Sequence, residues 1–207
     1  MELSEYLKKH NKYPILFVGS GISRRYMSTP DWRELIKKAF QLIGYTDVDF
    51  VAKINNLKQK EIKDNEILLH LAEEMIQEYE AKYKELDDIN EFTKNVASIV
   101  TQNEKKSRFK ELICQIINKY EKEEDNSEIK AFRKINSKIY TFITTNYDNF
   151  LNDIITDREN IIGNNVILKE PLKSIYKIHG CMSDSDSIVI GVSDYNKFKE
   201  NNILLFS

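Results

Sequence analysis

Three short stretches of the sequence combine residue types that can do chemistry. Ile15-Leu16-Phe17-Val18 is an apolar run closed by Gly19-Ser20-Gly21-Ile22-Ser23. A buried strand that ends in such a turn leaves backbone N–H groups free and places no Cβ in the way, so a diphosphate can approach. Thr144-Thr145-Asn146-Tyr147-Asp148 follows a second apolar run, Ile139 to Ile143. Its asparagine offers a donor and an acceptor suited to a ribose hydroxyl or a water, and its aspartate a carboxylate that can accept from an amide. The third stretch, Tyr176-Lys177-Ile178-His179-Gly180, puts one of only three histidines at a strand end, where an imidazole can serve as a general base near neutral pH. His10 and His70 lie in helical stretches and read as surface or packing residues.

Each stretch also has a plainer reading. A Gly-Ser-Gly turn after a strand is equally a tight βα connection. With Arg24 at the third glycine position and no G-K-[ST], it is neither a dinucleotide fingerprint nor a P-loop. Asn146 or Asp148 can simply cap the following helix. His179 can be a structural histidine in a turn.

The elements that must position these residues follow from periodicity. Glu2 to His10 reads as a short opening helix, and Ile15 to Val18 as a strand buried on both faces, as in parallel sheets. A helix follows the glycine turn, with Thr29 as N-cap, Pro30 at its first position, and Trp32, Leu35, Ile36, Ala39, Phe40 and Ile43 on one face. Residues 47–135 contain no Gly or Pro and repeat only with helical spacing, so they form a helical insert with a polar joint at Lys122 to Ser127. Strands are expected at Ile139 to Ile143, Asn165 to Leu168, Ser174 to Ile178 and Ser187 to Ile190. Helices are expected at Phe150 to Ile155 and from Asp194 onward. The alternation implies an α/β fold, a Rossmann-like open parallel sheet with helices on its faces.

Composition narrows the function classes. The chain has 207 residues, 41% hydrophobic and 31% charged, enough apolar surface for a core and one large domain. With 31 Lys plus Arg against 33 Asp plus Glu, the net charge of -2 argues against direct nucleic-acid binding. Cys114 and Cys181 are too few for a zinc site or a disulfide scaffold and read as reduced thiols. The N-terminus lacks the apolar run of a secretory signal and no stretch reaches membrane-span length, so the expectation is a cytoplasmic protein without membrane contact. The Ser183 to Ser187 alternation of Ser and Asp reads as a solvated turn rather than a cation loop.

Taken together, and in this order, the blocks at 15–23, 144–148 and 176–180 resemble the sirtuin (SIR2) superfamily. The wording T-T-N-Y-D and K-I-H-G is most similar to the SIR2-like domains of bacterial anti-phage defence proteins. The resemblance implies one SIR2-like domain across residues 1–207 that binds NAD+, with Gly19, Ser20, Gly21 and Ser23 around the diphosphate and adjacent ribose. It implies Asn146 and His179 as the catalytic pair. Asp148 matches a position that contacts the nicotinamide amide. Pro30-Asp31-Trp32-Arg33 resembles the family's P-D-F-R block, which leaves Trp32 either lining the nicotinamide pocket or packed as a core aromatic.

No paired C-x-x-C follows His179, so the zinc module of protein deacetylases is missing. That shifts the implied activity to NAD+ hydrolysis, which needs no metal and would deplete NAD+ during abortive infection. Two other outcomes stay open: a binding-only NAD+ or ADP-ribose sensor or scaffold, and a deacylase without the zinc module. The resemblance further implies a homo-oligomer, a partner ATPase or C-terminal regulatory domain, and a chain that is the N-terminal part of a longer protein.

Overall fold

A computed structural model describes residues 14–82, 107–124, 126–163 and 173–201. Its centre is a four-stranded, all-parallel sheet of β1 (Ile15–Val18), β2 (Thr141–Thr144), β3 (Glu159–Ile162) and β4 (Ser174–Lys177), in the order β1-β2-β4-β3. Around it are eight α-helices among the described residues: α1 (Ser20–Met27), α2 (Trp32–Leu42), α3 (Asp47–Gln59), α4 (Ile67–Lys82), α5 (Arg108–Ile117), α6 (Ser127–Ile135), α7 (Phe150–Ile154) and α8 (Val192–Asn201). This is the expected α/β, Rossmann-like architecture. No helix among the described residues is long and apolar enough to cross a membrane.

Two apolar clusters hold the fold together. In one, Val18, Phe142 and Ile175 project from one face of the sheet onto Met27 of α1, Ile129 of α6 and Phe150, Leu151 and Ile154 of α7. The other belongs to the helices α2 to α5, where Phe40, Phe50, Leu71, Met75, Phe109 and Leu112 are almost wholly buried. Tyr147, Ile188 and Ile190 join this second cluster from loops beyond the strands. The helical layer therefore meets the sheet at the C-terminal ends of its strands, where open α/β sheets bind ligands.

Several local expectations are corrected. β1 is not buried on both faces: Leu16 and Val18 face the core, while Ile15 and Phe17 are 60% and 61% exposed on the other side. Among the described residues β1 pairs only with β2, which makes it an edge strand. The helix that leaves the glycine turn directly is α1, and the expected apolar-faced helix is the next one, α2. The N-cap of α2 is Asp31 rather than Thr29. The Asp31 carboxylate accepts from Glu34 N while the Glu34 carboxylate accepts from Asp31 N, a reciprocal capping box that Thr29 is placed too early to form.

Ser187 to Ile190 is not a strand. Residues 185–187 form a 3₁₀ turn, and Ile188 and Ile190 are buried against the helical layer instead of in the sheet. Glu159–Ile162 supplies a strand that periodicity did not signal. Within 47–135 every regular element described is a helix. The expected opening helix, the strand at 165–168 and the helical pattern around residues 92–100 lie outside the described residues.

Candidate active site

Register brings the three motifs together. Val18 pairs with Thr144, and Thr144 with Lys177, so the ends of β1, β2 and β4 form one row across the sheet. One residue past that row on β1 is Gly19; two past it on β2 and β4 are Asn146 and His179. Parallel strands with aligned ends thus deliver the motifs to one edge, although the glycine turn is more than a hundred residues from the other two in the chain. Thr144 fastens the row: its hydroxyl donates to Val18 O at 2.8 Å and accepts from Asn146 N at 3.0 Å.

Asn146 is 8% exposed, and its Nδ2 donates to Gly19 O and to Ser23 Oγ, each at 3.0 Å. A carbonyl can only accept, so the side-chain nitrogen must face Gly19 and the amide orientation is fixed. The Asn146 Oδ1 atom accepts no hydrogen bond among the described residues and is left to hold a water or a hydroxyl. Ser23 is buried behind Asn146 at the second turn of α1. Gly19 stands at the N-cap of α1, and neither Gly19 nor Gly21 has a heavy atom within 4 Å of where a Cβ would sit, so the turn faces open space.

Asp148 is 9% exposed and its Oδ1 accepts from Phe150 N at 3.0 Å, a turn that starts α7. That capping role and a place in the cavity wall coexist, since one oxygen is enough for the cap. Lys177, fully buried on β4, donates from Nζ to Asp148 O and to Asn149 Oδ1, the latter at 3.3 Å. The K of K-I-H-G is therefore the brace beneath the N-Y-D turn, a role the sequence did not reveal. In Lys177→Met the Asp148 carbonyl loses its side-chain donor, and Asn149 Oδ1 keeps only the weak Cys181 Sγ donor at 3.4 Å. We expect a loss of about 1–3 kcal/mol, read by urea denaturation, and faster amide hydrogen exchange at Asn149 and Phe150.

His179 begins the turn after β4, and its carbonyl accepts from Val189 N at 2.9 Å. The next residue, Gly180, has φ +95° and packs against the Ser187–Ile188 backbone. Burial alone lowers the His179 imidazole from its ordinary 6.5 to about 4, so the ring is neutral and able to accept a proton across the physiological range. Tyr195 and Phe198 of α8 meet it edge-on, with centroids at 5.2 and 5.5 Å.

Asn146, Asp148 and His179 open into one cavity of about 210 Å³. Its polar rim also includes Ser20, Thr29 and Thr145, and its apolar wall is Pro30, Trp32, Leu35, Ile117, Tyr147 and Tyr195. Drug-sized ligands usually occupy about 300–1,000 Å³. The cavity falls below that range, and of the 19–23 turn Ser20 is the residue that lines it. Trp32 both lines this cavity and packs against the core cluster of the helical layer. Tyr147 holds the far wall by donating its hydroxyl to Val189 O at 2.7 Å, and burial raises its pKa well above 10. Thr29, Ile117 and Tyr195 belong to the site without having been singled out for it.

Residues 140–205 match the family model of the SIR2-like domain. The matched stretch holds the Thr144 to Asp148 and Tyr176 to Gly180 blocks together with Tyr195, and the glycine turn lies outside it. No curated protein gives a significant match to the chain.

Proposed function

We propose that this chain, SIR2-like over residues 140–205, is an NAD+ glycohydrolase that splits NAD+ into nicotinamide and ADP-ribose. A SIR2-like domain carries NAD-related activity in general. The observation that favours hydrolysis is the meeting of Asn146 Oδ1 and a neutral His179 in a single cavity.

In this reading the nicotinamide ring enters between Trp32 and the Asn146 to Asp148 turn, and the diphosphate lies along Gly19, Ser20 and Gly21. Ser23 acts from behind, through Asn146. The C1′–N bond breaks with its electron pair going to the ring nitrogen, which discharges the pyridinium and leaves an oxocarbenium-like sugar. A water held by Asn146 Oδ1 attacks C1′ and gives its proton to His179. An oxocarbenium ion is a strong electrophile, so the weak base that a buried imidazole becomes is sufficient. The carboxylate of Asp148 can accept from the nicotinamide amide.

The test is to incubate the purified chain with NAD+ and quantify nicotinamide and ADP-ribose by chromatography, with His179→Ala alongside. Equimolar products that depend on His179 are the expected result. Calorimetric NAD+ binding without any product would replace the hydrolase with a sensor. NAD+ consumption only in the presence of an acylated peptide would replace it with a deacylase. The anti-phage setting belongs to the same proposal and rests on the wording of the motifs. Its expected signature is NAD+ loss in infected cells that express the wild-type chain and not His179→Ala.

A further inference from the structure

We propose that α8 is the positioning element for His179: Tyr195 and Phe198 hold the imidazole between their rings, and Glu73 and Lys110 of the helical layer fix where α8 begins. Only the activity readout of this inference rests on the hydrolase reading; its geometry is independent of it.

A working imidazole is usually oriented by a hydrogen bond to one ring nitrogen. Among the described residues none is made to the ring of His179, so its orientation has to come from packing. Tyr195 and Phe198 lie three residues apart on one face of α8 and meet the ring at interplanar angles of 71° and 89°. These are edge-to-face contacts, the arrangement that the charge distribution of aromatic rings favours. They set the tilt of the imidazole and cover the side of the ring that faces α8.

The placement of α8 is in turn set by residues distant in sequence. Asp194 Oδ2 accepts from Ile190 N and Gly191 N, each at 3.1 Å, and Asp194 Oδ1 accepts from Lys110 Nζ at 2.6 Å. The Lys110 and Asp194 side chains are only 12% and 16% exposed, so salt screens the pair little. Glu73 accepts from Ser193 N at 3.1 Å and from Ser193 Oγ at 2.7 Å. A Cβ on Gly191 would come within 2.4 Å of Glu73 Oε2, so a larger residue there would push on the carboxylate that holds Ser193. Two helices of the helical layer, α4 and α5, thereby grip the start of α8 at Ser193 and Asp194, just before Tyr195. A displacement of either helix is carried to the imidazole.

Two readouts test this. With three histidines in the chain, His179→Gln assigns the His179 ring resonances in a proton–nitrogen NMR spectrum. In wild type the ring protons are expected away from the positions of a free imidazole because of the two neighbouring rings. Tyr195→Phe keeps that displacement. Tyr195→Leu and Phe198→Leu lose it and lower kcat about ten-fold. Lys110→Met, which does not touch the cavity, moves the His179 resonances and lowers kcat more than it changes KM. Unchanged resonances in both Lys110→Met and Tyr195→Leu, with the fold intact by circular dichroism, would overturn the proposal. If Tyr195→Leu does not fold, Phe198→Leu and Lys110→Met decide it on the same criteria. A wild type that makes no product ends the hydrolase reading alone, because the NMR comparison still decides whether α8 positions the ring.

Discussion

His179→Gln is expected to lower NAD+ hydrolysis by roughly 10²- to 10⁴-fold, the usual yield of a positioned general base. The wild-type pH profile should carry the mark of burial. With the imidazole lowered to about 4, the ring stays neutral well below the pH at which an ordinary histidine gains its proton. Hydrolysis should hold level from pH 8 to about pH 5 and fall away toward pH 4. A half-loss near pH 6.5 would mean that the base is a solvated imidazole and not this one.

The same shift makes a stability statement, with the sign fixed by which state binds the proton more readily. Between pH 6.5 and pH 4 the unfolded chain holds a proton on this residue that the folded chain does not. Acid in that window therefore favours unfolding, by about 3 kcal/mol once pH is below 4, and the effect is absent above 6.5. Urea denaturation at pH 7 and pH 4 should show that fraction of the acid sensitivity missing from His179→Gln.

Gly180→Ala should be the most damaging single methyl group in the site. At φ +95° an L side chain is strained, at a cost of about 1–3 kcal/mol. The added Cβ would also lie 2.2 Å from Ser187 O and 2.8 Å from Ile188 N, which are backbone atoms that cannot rotate aside. Forced repacking there adds about 1–3 kcal/mol. For a domain of this size the sum corresponds to a Tm lowered by roughly 5–20 °C. The backbone shift reaches His179 directly, so product formation should fall even at temperatures where the variant remains folded. An unchanged Tm together with full activity would show that the 185–188 turn is not packed on Gly180 in solution.

How much of this was legible in the sequence depended on whether the signal was local. β1, β2 and β4 show themselves as apolar runs closed by turn residues, and the motifs at their ends could be read without coordinates. β3 could not, because Glu159-Asn160-Ile161-Ile162 offers only two apolar residues. The opposite error arose at Ile188-Val189-Ile190. An apolar run reports burial, and here the burial is against helices rather than within a sheet. The Asp31 cap was masked by Thr29-Pro30, which has the same signature two residues earlier. Non-local matters were out of reach: that the Asn146 nitrogen is committed to Gly19 and Ser23, that a fully buried lysine braces the N-Y-D turn, and that Tyr195 and Phe198 face the histidine. Each depends on residues brought together from different elements.

The bonds that complete the cavity span very long loops: 127 residues from Asn146 to Gly19, 126 from Thr144 to Val18 and 84 from Asp194 to Lys110. Contacts of such sequence separation are costly in chain entropy and slow to form. During synthesis the glycine turn leaves the ribosome long before its asparagine exists, and the aromatic wall over His179 is made later still. A chain that consumed NAD+ as soon as its first motif folded would poison its own producer. On the proposed hydrolase reading, this topology delays competence until nearly the whole of the described chain has been made and docked.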